Sequence, residues 1–223
     1  MPHHKESRCR ILYGLVAAAS MLPMSAPCEA GAQAAPRAHV GAGLGLNLLV
    51  GDGSDFLDGG VGRFLFADFR LDERGRFGIR VDASSGGLED DEDEMFDSRA
   101  ENDLIVFVAG PQLTAHLGGR LRPYAAALAG MAAVHWETVE DVLGEEIEDD
   151  DAETAFAWGA HAGLGVVLDE GDHPVTLRFE ARLLDTGALT FARAPAPNGT
   201  APTGLIREDI AVFAVRVAIS LGF

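Results

Sequence analysis

Cysteine is nearly absent from this chain. There are two, Cys9 and Cys28, and both fall within the first 34 residues. Residues 35–223 therefore hold no disulfide, no thiol nucleophile and no thiolate metal ligand. Positive charge is scarce as well: 17 Lys and Arg stand against 35 Asp and Glu, a net of −18. A surface that negative repels phosphate, which excludes nucleic acid as a partner. Beyond the N-terminal region no apolar run is long enough for a membrane helix. Catalytic signatures are missing too. The serines of residues 35–223 are Ser54, Ser84, Ser85, Ser98 and Ser220; the histidines are His39, His116, His135, His161 and His173. They form no Gly-x-Ser-x-Gly elbow and no His two residues from a Ser, and no Gly-rich phosphate loop or zinc pattern accompanies them. The expectation is a protein without a cofactor and without an enzymatic site.

What is present starts with a basic N-terminus (Lys5, Arg8, Arg10), a short apolar run (ILYGLVAAASMLPM) and small-residue exits at Ala30-Gly31-Ala32 and Ala32-Gln33-Ala34. That order predicts a cleavable secretory signal peptide over residues 1–34 and one exported domain over 35–223. Cys28 follows Pro27, where a lipid-attachment site has a small Gly, Ala or Ser, so lipidation is not expected.

The end of the chain carries the strongest pattern. Phe213, Val215, Val217, Ile219, Leu221 and Phe223 alternate with Ala214, Arg216, Ala218, Ser220 and Gly222. One face is apolar throughout and the other is small or polar, as in a strand with lipid on one side. A half-buried strand in a soluble sheet reads the same way in isolation. The rest of the chain decides between them. Further alternating runs lie at about 38–50, 61–71, 77–85, 104–117, 123–136, 155–168 and 175–185, making eight with the last. The connections between them run long, short, long, short, long, short, long. An even-stranded outer-membrane barrel sorts its loops by parity in this way; a soluble sandwich has no reason to. The prediction is an all-β fold: an eight-stranded antiparallel up-and-down transmembrane β-barrel behind a signal peptide.

The acidity is local. Residues 86–103 hold nine acids and Arg99; residues 137–154 hold ten acids and no base. Their nets of −8 and −10 account for the whole −18. Both segments fall in long connections, so they are expected to be solvated outer loops. Weak binding of divalent cations through carboxylate oxygens, bridging the tips to lipopolysaccharide, is the sharper alternative; neither segment has EF-hand spacing.

Inside and outside follow from the alternation. The inward set includes Asp68, Arg70, Arg80, Asp82, Arg178, Glu180, Arg182 and Arg216. Eight strands enclose just enough room for side chains, so these are expected to pack as an ionic lumen opposite inward Gly and Ala of the first, fifth and sixth runs. Glu180 is expected to pair with Arg178, Arg182 or Arg216. His135 and His161 are both read as inward and near the outer mouth, a possible metal pair or two polar plugs. Phe77, Tyr124 and Phe223 near the short turns, with Trp136 and Phe156 near the long loops, are expected to form two interfacial girdles.

The segments GGRLRPYAAALAGMAAV, AFAWGAHAGLGVVLD, VTLRFEARLL and VRVAISLGF together resemble the OmpA/OmpX-like eight-stranded outer-membrane barrels over about residues 38–223. The resemblance implies a Gram-negative outer-membrane protein in contact with lipid and lipopolysaccharide, with an envelope-structural or surface-interaction role. It also implies that Val215, Val217, Ile219, Leu221 and Phe223 are read by the barrel-assembly machinery. The peptidoglycan-binding domain of OmpA and the His-x-Ser arrangement of lipid A deacylase barrels are not expected here. A lipid-modifying enzyme, a small-solute channel and a soluble periplasmic ligand-binding barrel remain as alternatives.

Overall fold

The computed structural model describes residues 37–50, 59–89, 99–117, 119–142, 145–193 and 204–223. The expected signal peptide lies outside the described residues. Eight strands follow in order: β1 (Ala38–Val50), β2 (Val61–Arg70), β3 (Phe77–Glu89), β4 (Arg99–Thr114), β5 (Leu121–Val142), β6 (Glu145–Asp169), β7 (Val175–Arg193) and β8 (Gly204–Gly222). Each pairs antiparallel with the next, and β1 closes on β8 to make a barrel. Closure leaves no free sheet edge around the body of the barrel, the condition for strands in lipid. The seam is drawn tight where the chain enters and leaves: Ala38 N–H donates to Phe223 O at 3.1 Å and Phe223 N–H to Ala38 O at 2.8 Å. We call this the terminal end and the opposite one the far end.

The turns at the terminal end are short and locally specified. Between β2 and β3, Gly75 sits at φ 62°, a conformation that costs glycine nothing. It donates to Asp72 O at 3.0 Å, while Asp72 Oδ1 accepts the Phe77 N–H at 2.7 Å. That last bond holds the exposed Asp72 carboxyl below its ordinary range.

The far end differs from expectation. Residues 137–142 and 145–154 belong to strands and not to a loop: β5 and β6 stay paired up to Val142↔Glu145. β5 and β6 reach 22 and 25 residues, against 13 and 10 for β1 and β2. At about 3.3 Å per residue, one side of the barrel rises well above the other. Pairing continues through acidic sequence because backbone hydrogen bonds do not depend on side-chain type. Likewise β3 runs to Glu89, β4 starts at Arg99, and β7 and β8 pair out to Arg193↔Gly204.

The outer face is apolar around the middle of the barrel. Leu44, Leu46, Leu65, Phe107, Leu113, Phe179, Val217 and Ile219 are all exposed. Arg63 is an outward cation of β2, its Nε donating to Ser85 Oγ at 3.2 Å. The interior has two tiers. Toward the far end lies an apolar core of Leu88, Leu104, Val106, Val108, Leu128, Val134, Trp136, Leu184, Leu189, Phe191, Ile210 and Val212. Toward the terminal end lie the buried charges, with Phe64 and Phe66 among them.

β5 is turned over relative to expectation. Tyr124, Ala126, Leu128, Ala132, Val134 and Trp136 point inward, and Ala127, Ala129, Met131 and His135 point out. Cross-strand partners share a face, and β4 settles it. Phe107 outside is opposite Met131; Leu104 inside is opposite Val134. The sequence of β5 has Ala on both faces, so its alternation carries little information. The larger set goes inward because the upper lumen is a hydrophobic core and not a polar one.

Candidate functional site

Seven of the eight expected lumen charges meet near the terminal end: Asp68 from β2, Arg80 and Asp82 from β3, Arg178, Glu180 and Arg182 from β7, and Arg216 from β8. Arg70 instead folds over the β2–β3 turn beside Gly75. Strands β3 and β7 are on opposite walls, and the network spans the lumen between them. Arg80 presents a fork to Glu180, Nη1 to Oε1 and Nη2 to Oε2, both at 2.9 Å. Its Nη2 also donates to Asp82 Oδ2 at 3.0 Å. Arg216 forks onto Asp82 at 3.0 and 3.1 Å. Arg182 donates to Asp82 Oδ1 at 2.9 Å and to Ser84 Oγ at 3.0 Å. Arg178 pairs with Asp68 and donates from Nε to Ser220 Oγ at 3.0 Å. Planar two-point pairs of this kind are the strong form of the guanidinium–carboxylate bond.

Of the three partners expected for Glu180, Arg216, directly across the β7–β8 ladder, forms an ion pair with it at 3.8 Å, while Arg178 and Arg182 go to Asp68 and Asp82. Its two-point partner, Arg80, comes from across the barrel and was not among those expected. Alternation along a strand identifies which residues face the lumen; it does not say which of them meet across it.

Aromatic side chains complete the site. Phe66 lies under Arg80 at 4.1 Å and under Arg178 at 4.6 Å, and Phe64 lies under Arg216 at 3.3 Å, as cation–π partners. Tyr124 donates its hydroxyl proton to Glu180 Oε1 at 2.8 Å. Tyr124 and Trp136, each 6% exposed, are thus lumen residues and not girdle residues. Phe77, Phe156 and Phe223 are exposed at 43%, 65% and 57%, with Trp158 beside Phe156 on the outer face.

Small residues make room for these groups. A Cβ on Gly163 would stand 2.6 Å from the Tyr124 hydroxyl, and one on Gly43 would stand 2.7 Å from the Phe64 ring. Gly there lets the aromatic rings lie flat against β6 and β1. β5, expected to supply small inward residues, supplies Ala126 and Ala132 but also Tyr124, Leu128, Val134 and Trp136. His135 and His161 do not approach: His161 is buried opposite Ala126, while His135 is exposed opposite Ala152. No group of three or more metal-ligating side chains occurs among the described residues.

A closed antiparallel cylinder, apolar outside and ion-paired within, is the architecture of a transmembrane β-barrel. The sequence profile of the outer membrane protein beta-barrel domain matches residues 14–202, and the chain belongs to that family, whose members reside in the outer membrane. Among solved structures, Neisserial surface protein A (NspA) is 12% identical with a TM-score of 0.51, over 86% of this chain and 100% of that one. Ail, the attachment invasion locus protein of Yersinia pestis, is 12% identical with a TM-score of 0.50, over 85% of this chain and 99% of that one. At such identities the likeness is one of fold alone. No curated protein matches the sequence.

Proposed function

We propose that this chain is a non-enzymatic integral protein of a Gram-negative outer membrane, exported by its N-terminal signal, with an envelope-structural or surface-interaction role. The observation that carries this is the filled lumen. Arg80, Asp82 and Glu180 have fully buried side chains at one level, and Val108, Val134, Leu184 and Leu189 close the level above at 0% exposure. A packed interior leaves the far-end hairpins as the place of contact with other molecules. On this reading the acidic β5–β6 hairpin faces outward, where weakly held divalent cations link it to lipopolysaccharide. The last strand, with Val215, Val217, Ile219, Leu221 and Phe223 on its lipid face, is the segment the barrel-assembly machinery binds.

The test combines three measurements on the membrane fraction. Heat-modifiable gel migration reports closure, protease shaving of intact cells reports exposure of residues 137–150, and planar-bilayer recording reports conductance. The expected result is a heat-modifiable, surface-clipped, non-conducting protein. Steady unitary conductance would favour the channel alternative, a change in lipid A mass on incubation would favour a lipid-modifying enzyme, and extraction without detergent would favour a soluble ligand-binding barrel.

A further inference from the structure

The buried ionic layer does not balance. Among the described residues, the buried charged side chains are Arg80, Arg178, Arg182 and Arg216 against Asp68, Asp82 and Glu180. Guanidinium does not give up its proton in proteins. With all three carboxylates ionised the layer still carries one positive charge in excess, and a protonated carboxyl would only increase it. Burial makes such an excess costly unless a counter-charge joins it.

The geometry locates the excess. Arg80 is matched by Glu180, Arg216 by Asp82 and Arg178 by Asp68. Arg182 is the one left over. It shares Asp82, already forked by Arg216, through a single bond, and rests its other terminal nitrogen on the neutral Ser84 hydroxyl. Its Nε–H is buried with no hydrogen-bond partner. Directly across the β6–β7 ladder from Arg182 is His161. That side chain is buried, 2% exposed, and neither of its ring nitrogens has a hydrogen-bond partner. Its ring stands edge-on to Tyr124 at 5.4 Å, which fixes it against the same phenol that caps Glu180. Two orphaned polar groups thus sit side by side facing the lumen, and one of them belongs to the unmatched arginine.

We propose that Arg182 and His161 hold a small monovalent inorganic anion of chloride size inside the barrel. The Arg182 Nε–H and one imidazole N–H donate to it, and its single negative charge brings the layer to neutrality. A monatomic ion is the smallest anion that two N–H donors on facing ladder positions can share. No pore is needed for entry, because the anion is enclosed as the strands close.

The test uses bromide as the probe. The chain is refolded from urea into detergent micelles in sodium bromide or in sodium gluconate at equal ionic strength. The bromide form is then crystallised for anomalous diffraction. The expected results are an anomalous peak between Arg182 and His161 and a thermal midpoint that rises saturably with bromide but not with gluconate. Arg182→Met and His161→Phe are each expected to remove the peak and the bromide dependence. If one variant fails to fold, the other variant and the wild-type peak still decide. Absence of the peak, a peak elsewhere, or equal midpoints in the two salts overturns the proposal.

Discussion

At the scale of single residues, Glu180 is held from two sides. It accepts the Arg80 fork and the Tyr124 hydroxyl in a closed interior. Glu180→Gln keeps the shape and removes the charge, which leaves Arg80 with only part of its counter-charge. Removing one partner of a buried pair costs about 3–5 kcal/mol. That loss should appear as a lower urea midpoint in detergent micelles, followed by tryptophan fluorescence; an unchanged midpoint would show that the pair contributes nothing net. Tyr124→Phe removes one bond to a charged acceptor, and a smaller loss of roughly 1.5–3 kcal/mol is expected in the same assay. Gly163→Val should be worse than Tyr124→Phe, because its first carbon alone meets the Tyr124 hydroxyl at 2.6 Å and displaces the ring. Membership of the network was legible in the sequence, since Asp68, Arg80, Asp82, Arg178, Glu180, Arg182 and Arg216 all fall on inward positions of their alternating runs. The two-point pairing across the lumen was not. Arg80 and Glu180 are 100 positions apart and meet only through the closure and stagger of eight strands.

At the scale of elements, strands were easier to place than to bound or to orient. The starts of β1, β2, β3 and β7 were visible because apolar alternation begins there. The far ends were not, because β5 and β6 continue as paired backbone through sequence whose side chains look like loop. β5 could not be oriented from its own residues, since Ala125, Ala127 and Ala129 oppose Ala126 and Leu128 with little contrast. Only its register against Phe107 on β4 settles its face. The extended hairpin carries a cost of its own. Its register sets Glu137 opposite Asp150 and Asp141 opposite Glu146. Like charges directly opposite destabilise a ladder, and salt screens charges exposed to solvent. Amide exchange over 137–150 should therefore slow when sodium chloride rises from about 10 mM to 1 M, where the Debye length falls from about 30 Å to 3 Å. Exchange in the lumen-facing strands of the lower barrel should not change with it. The β2–β3 turn behaves in the opposite sense with acid. Asp72 is held below its ordinary range by the Phe77 N–H, so its contribution is present above the unfolded carboxyl pKa, about 3.9. It is lost as pH falls through the depressed folded value. Asp72→Asn should lower the thermal midpoint at neutral pH, and its curve should converge with that of the wild type in strong acid; parallel curves at every pH would mean the turn does not use the charge.

At the scale of the whole molecule, the two tiers divide the labour of holding the barrel shut. The lower tier ties opposite walls together with ion pairs that have one geometry, and the upper tier fills space with Leu, Val, Ile, Phe and Trp. Among the described side chains of β5, Trp136 is the last in the apolar core. Barrel and tip should then be separable. Replacing 139–148 by an Asn-Gly turn joins positions that already face each other, because Val139 pairs with Glu148 and Thr138 with Asp149. The shortened chain should close normally, with heat-modifiable migration intact and a urea midpoint within about 0.5 kcal/mol of the parent, the range typical of changes away from packed features. What should change is behaviour at the cell surface. Cells carrying the shortened form should lose the protease-sensitive site and the share of surface negative charge that the hairpin carries, read as reduced electrophoretic mobility. If the shortened chain fails to close, the hairpin is part of the barrel's own stability and not an appendage for contact. A surface role would then have to be sought in the β7–β8 extension.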